Sequence, residues 1–482
     1  MRGVGTFWRL LAAAVACAFA VAADPGVAGS TRELVQVDVS NAAGVQSETT
    51  ITSDPSTGRI LLAGSNDHRR YQTYAPPPSE SASVRQSTPF STAFYGSVDG
   101  GATWRRSYLP LVGGQGASDP VVAIDLTGRQ YAGFVRVDEN GQGEPRVSSR
   151  PNALSPWSAP TVVEQTSGTL FDDDKPAIAV DVSPSSPHAN RVYVAWSRIS
   201  PSGAPIVLAH SDDGGTTWSV PALVSKTRTS FQSYPSIAVA RDGSVYVAWW
   251  TVGHGVFADV SHDGGDTFGT ARSLNALAIS GTPTCVPPGV SIPAQPTTCV
   301  RPNPIISVDD STGPLAGRVY VTYNDTAGKH QQQGIFVAAL DPALRPLFLR
   351  HPVNRPKGSA RSDQFWPASA VDPSTGVLWA CFYDTRADRR RRLAWYSCTR
   401  SRDGGARWAA PLRVASVPSN ETQRGADKGG GLNREYGDYE GLAVAGGVAH
   451  PIWTDTRRLR TLAEEVYTTT LSERSFRLRS RG

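Results

Sequence analysis

The segment Arg434-Glu435-Tyr436-Gly437-Asp438-Tyr439-Glu440 holds the densest set of acids and phenols in the chain. Three carboxyls and two phenols so close together suit acid–base chemistry, in which one group protonates a leaving oxygen and another serves as nucleophile or base. Glu435, Tyr436, Asp438, Tyr439 and Glu440 are therefore the candidate catalytic residues. Arg301, Arg361, Arg386, Arg434 and Arg457, together with Asp363, form a candidate substrate-binding set, because a guanidinium grips a carboxylate through two parallel hydrogen bonds. A structural reading competes for the same residues. Gly437 allows a turn, and Asp438 and the tyrosines could simply hydrogen-bond neighbouring loops. The repeated Asp384-Thr385-Arg386 and Asp455-Thr456-Arg457 motifs are better explained by Asp–Arg pairs stitching neighbouring modules together.

Other chemistries find little support. There is no Gly-x-Ser-x-Gly elbow, no His-Glu-x-x-His or paired Cys-x-x-Cys zinc pattern, and no glycine loop ending in Gly-Lys-Ser/Thr. Asp172-Asp173-Asp174 could offer oxygens to a structural Ca²⁺, although a solvated run of charge is the plainer reading; no other cofactor is expected. The chain has 482 residues and a formal net charge of only +5, without a basic, aromatic-interleaved run of the kind that tracks nucleic acid.

The elements that must position these groups repeat along the chain. Four octapeptides, Ser97-Val-Asp-Gly-Gly-Ala-Thr-Trp104, Ser211 to Trp218, Ser261 to Phe268 and Ser401 to Trp408, share a Ser-x-Asp-x-Gly-x-Thr-Trp frame. Short Ser and Asp side chains accept backbone N–H bonds, glycine supplies positive φ, and the closing ring anchors the turn. Phe268 and Arg407 depart from the frame, in place of Trp and Thr. A longer pattern, an alternating strand, a tight turn and an aromatic-rich strand, begins at Glu48, Asp119, Lys175, Tyr234, Asn303, Trp366 and Tyr439. Successive copies start roughly 55 to 75 residues apart, the length of a four-stranded module.

The octapeptide resembles the Asp-box, or BNR repeat, of sialidases and sialidase-like β-propellers. The resemblance implies an all-β fold, a seven-bladed β-propeller with Asp-box turns, a six-bladed sialidase-type ring being the alternative. It places the boxes between third and fourth strands of blades one, three, four and six, on the face opposite any active site. The starts of first strands and the ends of second strands then meet at the tunnel mouth. Those segments hold Asn66 to Arg70, Asp119, Asp172 to Lys175, Arg198, Tyr234, Arg301, Asn324-Asp325, Arg361 to Asp363, Asp384 to Arg386, Arg434 to Glu440 and Asp455 to Arg457. Sialidases use a Tyr nucleophile activated by Glu, an Asp acid and three arginines. Arg301, Arg361 and Arg434 precede the first strand in three consecutive modules, and Tyr436 and Tyr439 sit beside Glu435 and Glu440. The Phe/Tyr-Arg-Ile-Pro element that carries the first sialidase arginine is missing; Val300-Arg301-Pro302, in a middle module, is a poor substitute.

Residues 1–22 read as a secretory signal, with Arg2 and Arg9 before an apolar run and Ala20-Val21-Ala22 at the cleavage point, so the propeller is expected over residues 33–482. Cys17 after Ala14-Val15-Ala16 is a weak lipid-attachment alternative to soluble export. Four further cysteines in an oxidising compartment imply two disulfides, with Cys381 and Cys398 placed for a bridge across a hairpin and Cys285 and Cys299 bracketing a Pro-rich loop. Either Leu34 to Val39 or Phe476 to Arg479 could complete the last blade. The expected protein is a secreted monomer whose partner is a glycan or glycoprotein. Two functions stay open: a sialidase-like glycosidase with a deep charged pocket, and a non-catalytic glycan- or protein-binding scaffold whose rim acids are already neutralised.

Overall fold

The computed structural model describes residues 34–42, 44–67, 91–111, 116–138, 142–164, 172–226, 230–274, 289–327, 332–354, 361–422, 436–458 and 464–477. The described residues form six antiparallel sheets of four strands, one of five, and a separate two-stranded hairpin. Sheets one to seven open with the strands Gln46–Ser53, Gly116–Ile124, Asp172–Val180, Gln232–Val239, Ile305–Val308, Gln364–Val371 and Gly441–Ala445. These first strands are the inner ones, and each touches the next around the ring until that of sheet seven touches that of sheet one. The molecule is a β-propeller.

The second strands explain the continuous apolar runs in the sequence. In Val192–Ile199, Val192, Val194 and Trp196 enter the core shared with sheet two, while Tyr193 and Ala195 enter the core shared with sheet four. A strand buried on both faces cannot alternate apolar with polar residues. Seven hydrophobic cores result, one between each adjacent pair of sheets, including sheets seven and one.

Sheet seven is closed by the other end of the chain. The strand Gln36–Asp38 pairs with Glu465–Thr469 as the outer strand, and Val39 packs with Val466, Ile452 and Leu61. Phe476, in the competing segment, lies instead in the short helix Glu473–Arg477 and meets the Trp379 ring edge-on.

The octapeptides join third and fourth strands in sheets one, three, four and six. In each, the Ser hydroxyl accepts the N–H of the second glycine, as from Gly215 to Ser211 at 2.9 Å. Asp213 accepts the N–H of Thr217 at 2.9 Å and its hydroxyl at 2.6 Å, and Asp99 and Asp263 do the same with Thr103 and Thr267. Where Arg407 replaces Thr, its Nε takes over the hydroxyl's bond to Asp403 at 2.8 Å, which explains why the substitution is tolerated. These turns also bind sheet to sheet: Gly264 O accepts Arg191 Nη1 of sheet three at 3.0 Å.

Candidate functional site

The side of the ring opposite the octapeptides departs from regular geometry. Five first strands carry a register shift at the same place, between Ser47 and Thr50, Ser118 and Val121, Asp174 and Ala177, Ser233 and Ser236, and Phe365 and Ala368. Within each bulge one non-glycine residue adopts positive φ: Glu48, Asp119, Lys175, Tyr234 and Trp366, at 49 to 56°. Four of the five precede proline, which removes the N–H that a continuous ladder would use. Such backbone is costly for these residue types and collects at functional sites.

Four of the five bulged side chains converge near the axis. Lys175 Nζ lies 3.4 Å from Glu48, 3.3 Å from Asp119 and 3.1 Å from Asp438, so one ammonium links sheets one, two, three and the approach to sheet seven. It also sits over the rings of Tyr234 and Tyr439, at 5.8 and 5.5 Å. Arg301 Nη1 donates to Tyr234 OH at 3.2 Å and lies 3.6 Å from Asp438. Asn66 donates to Glu48 at 2.6 Å and accepts the Asp119 N–H, and Asn303 donates to the Asp438 carbonyl. Gly437, at φ +79°, makes this possible: a Cβ there would stand 2.3 Å from Glu48 Cγ.

Four carboxyls, Glu48, Asp119, Asp174 and Asp438, thus share two cations. Burial pushes Glu48 well up, while Lys175 and hydrogen bonds from Glu48 and Asp174 hold Asp119 below its ordinary value. Burial and the Asp119 charge raise Asp174 to about 7. Asp119 is accordingly the acid of this cluster whose charge is favoured, with Glu48 and Asp174 pushed the other way beside it. A cavity of about 180 Å³ adjoins the cluster, lined by Lys175, Tyr234, Asn303, Tyr439 and Glu440 among others. The Tyr439 hydroxyl has no hydrogen-bond partner there among the described residues.

The separate hairpin, Val290–Ile292 with Gln295–Val300, explains how Arg301 reaches the cluster. It arises between sheets four and five yet packs with Phe365 and Trp366 of sheet six and Tyr436 beside sheet seven. The Trp366 indole donates to Gln295 at 2.7 Å, so this fifth bulged residue holds the hairpin rather than joining the charges.

The candidate residues separate into three environments. Asp438, Tyr439 and Arg301 belong to the mouth cluster. Tyr436 is fully buried among Phe365, Tyr383 and the rest of an aromatic core. Glu440 lies between those regions, accepting bonds from Thr49, Tyr383 and the Thr454 N–H, and burial raises it to about 8 in spite of these donors. The third environment is a set of local ion pairs. Asp363 binds Arg391 at 2.6 Å, Arg386 binds Asp384 at 2.5 Å, and Arg457 binds Asp455 at 2.7 Å. The Asp–Arg pairs therefore close within each motif and do not themselves stitch neighbouring sheets as expected from sequence, whereas Thr456 bonds Ser419 and Asn420 in the segment that follows sheet six. Arg361 is exposed. Glu435, Arg434 and Cys285 lie outside the described residues.

Asp172 to Asp174 is likewise more than a solvated run. Asp173 is buried and raised to about 8, chiefly by burial, and Asp174 faces Asp119. No group of three or more metal-ligating side chains is arranged for an ion among the described residues. Cys381 and Cys398 face each other across the hairpin and form a disulfide; Cys299 is also disulfide-bonded. No described helix is long and apolar enough to cross a membrane.

Lys175 stood in the tunnel-mouth inventory without a role, and Glu48 was only a repeat start; neither was among the catalytic or binding candidates. Aligning the seven repeat starts exposes them: Glu48, Asp119, Lys175, Tyr234, Asn303, Trp366 and Tyr439 occupy one repeat position, and five precede proline.

Neither a protein-family model nor a curated protein matches the chain. Solved structures that are similar include a protein of unknown function from Dyadobacter fermentans, at 13% identity over 73% of this chain and 94% of that one, with a TM-score of 0.47. The intramolecular trans-sialidase of Ruminococcus gnavus is 13% identical over 74% of this chain and 94% of that one, at 0.47. The leech intramolecular trans-sialidase is 11% identical over 73% and 67%, at 0.46. At these identities the likeness concerns fold alone. The sheet order, the cyclic cores and the octapeptide turns give this chain a sialidase-like β-propeller fold.

Proposed function

We propose that the protein is an exported, monomeric glycan-binding propeller that receives a sugar at the mouth cluster and does not cleave it by the sialidase route. The observation that carries this reading is the shared repeat position at the mouth end of the first strands. It brings Tyr234, Tyr439, Lys175 and Asn303 around one small cavity, with the Tyr439 hydroxyl unpartnered. Aromatic faces beside a few fixed polar groups suit a sugar, which presents both C–H surfaces and hydroxyls. The acids are already engaged by Lys175 and Arg301. Burial raises the Tyr234 and Tyr439 phenols, the reverse of what activates a nucleophile.

Calorimetric titration of the purified protein with sialosides and neutral oligosaccharides tests the reading. Binding that Tyr439→Phe weakens at least fivefold, without release of aryl glycoside chromophores, is the expected result. Failure of every glycan to bind would overturn it.

A second reading is hydrolysis. Asp174 at about 7 beside the ionised Asp119 resembles the split acid and base that glycosidases need. Turnover of an aryl glycoside that Asp174→Asn abolishes would establish this reading in place of the first. Glu435→Gln and Arg434→Ala are the further variants that a sialidase mechanism would make inactive.

A further inference from the structure

The longest run of basic residues in the sequence, Arg389-Arg390-Arg391-Arg392, takes no part in the mouth cluster. It lies in the loop between the second and third strands of sheet six, Leu378–Asp384 and Trp395–Ser401. Such loops open on the mouth side, because the octapeptides, which join third to fourth strands, lie at the other end. Asp388 shapes this loop by accepting the N–H groups of Arg390, Arg392 and Leu393 at 3.0, 2.8 and 3.0 Å. Arg391, at φ +58°, turns inward and grips Asp363 Oδ2 through Nε and Nη2, at 2.7 and 2.6 Å. Asp363 also accepts the Gln333 N–H of sheet five at 3.0 Å, and Ala394 exchanges two backbone bonds with Ser419, so the loop is anchored on both sides.

That anchoring sorts the charges. Asp363 and Asp384 are buried and engaged with Arg391 and Arg386. Arg389, Arg390 and Arg392 remain exposed, as does Arg361, two residues before Asp363. Among the described residues only the Asp388 carboxylate stands near them, beside Arg390. The loop therefore presents a surplus of positive charge on a fixed backbone.

From this arrangement we infer that the arginine loop binds an acidic polysaccharide through the carboxylate or sulfate groups carried along the polymer. A guanidinium offers two parallel N–H donors to either group. A polyanion gains by meeting several cations at once and releasing its counterions, and a fixed loop loses little freedom in holding it. An anionic membrane fits less well, since it would draw on apolar side chains beside the cations, and none of the exposed large apolar residues falls on this loop. Single-stranded nucleic acid fits less well too. Base stacking needs a free aromatic face, and the half-buried Trp395 at the end of the loop already carries Arg413 at 4.8 Å from its ring centroid. None of these arginines lines the mouth cavity, so the inference does not depend on a sugar entering there.

The test is binding of fluorescently labelled dextran sulfate, polygalacturonate and neutral dextran to the intact protein, followed by anisotropy over a range of salt concentrations. At least one acidic polymer should bind and neutral dextran should not; the better of the two acids identifies sulfate or carboxylate as the group recognised. Arg389→Gln/Arg390→Gln/Arg392→Gln should weaken binding roughly tenfold and lower the slope of log affinity against log salt by about two. Arg345→Gln/Arg402→Gln/Arg407→Gln removes the same charge from exposed positions at the octapeptide end and should change affinity by less than about twofold. Arg361→Gln/Arg392→Gln, with a smaller expected loss, serves should the loop triple variant fold poorly. Binding of neither acidic polymer, or equal losses in the two triple variants, overturns the inference. Tighter binding to phosphatidylglycerol vesicles or to single-stranded DNA overturns it as well.

Discussion

The two ends of the tunnel use the same seven strands in opposite ways. At the octapeptide end the repeats agree with one another: the Ser–Asp–Gly turn keeps the same hydrogen bonds in four sheets, and six of the seven first strands end on an aliphatic residue, Ser53 being the exception. At the mouth the repeats disagree. The repeat position that starts each first strand carries Glu, Asp, Lys, Tyr, Asn, Trp and Tyr in turn, on a strained backbone at five of the seven. Uniform repeats build a closed ring, because each module must fit its neighbour. Divergent repeats build a site, because complementary groups have to meet at one point. The physical contrast is between stability gained by sameness at one end and strain and buried charge tolerated at the other.

The sharpest way to break that comparison is Lys175→Met. Removing the shared ammonium leaves Asp119 and Asp438 buried without their main partner, and breaking such a pair costs about 3–5 kcal/mol. Urea unfolding should show this loss, and adding Asp119→Asn should recover part of it. An unchanged midpoint would mean that the mouth carries no buried electrostatic burden.

Cleavage of the Cys381–Cys398 bridge comes next. The two residues are separated by 17 positions, and a loop of about that size contributes ~3 kcal/mol. The Cys381→Ser/Cys398→Ser double variant should melt measurably lower than the parent under non-reducing conditions.

The octapeptide turns should respond more weakly. Asp213→Ala removes the acceptor for four donors, the Ser211 and Thr217 hydroxyls and the Thr216 and Thr217 N–H groups, at an exposed turn and should cost ~1 kcal/mol, as loss of a cap does. Arg407→Thr, which restores the frame, should stay within ~0.5 kcal/mol of the parent.

Opposite pH dependences sharpen the contrast further. Threonine hydrogen bonds lower Asp99 and Asp213 to about 2 from 3.8, so the stability they contribute is present above 3.8 and is lost as pH falls towards 2. Burial raises Glu440 from 4.5 to about 8, so the folded state binds its proton more tightly than the unfolded chain. That contribution is full below 4.5 and is lost as pH rises to 8. Thermal melts of Glu440→Gln between pH 5 and pH 9 should therefore decline less with pH than those of the parent. Equal slopes would remove Glu440 from the explanation.

Much of the ring was legible because its signals are local. The four turns announce themselves by residue type, the runs around Tyr193 and Tyr246 are apolar on both faces, and Cys381 and Cys398 fall opposite each other once the hairpin is drawn. The Gln36–Asp38 closure was one of two strand candidates, and only its pairing partner separates them. The mouth was less legible. Tyr436 and Glu440 looked like chemistry because they are polar neighbours of Asp438, yet they turn towards the aromatic core. Lys175 stood among acids and prolines that gave no hint of a partner 56 or 127 residues earlier in the chain, or of one on the far side of the ring. A bulge shifts the facing of a side chain, and strict alternation along the strand does not reveal it.

The pairing of Gln36–Asp38 with Glu465–Thr469 has a temporal consequence. The earlier strand must wait, unpaired, for one more than 400 residues later to emerge before the circle can lock. A polypeptide released early would lack the partner for that latch and keep an unsatisfied edge open to proteases, so assembly itself distinguishes finished molecules from fragments.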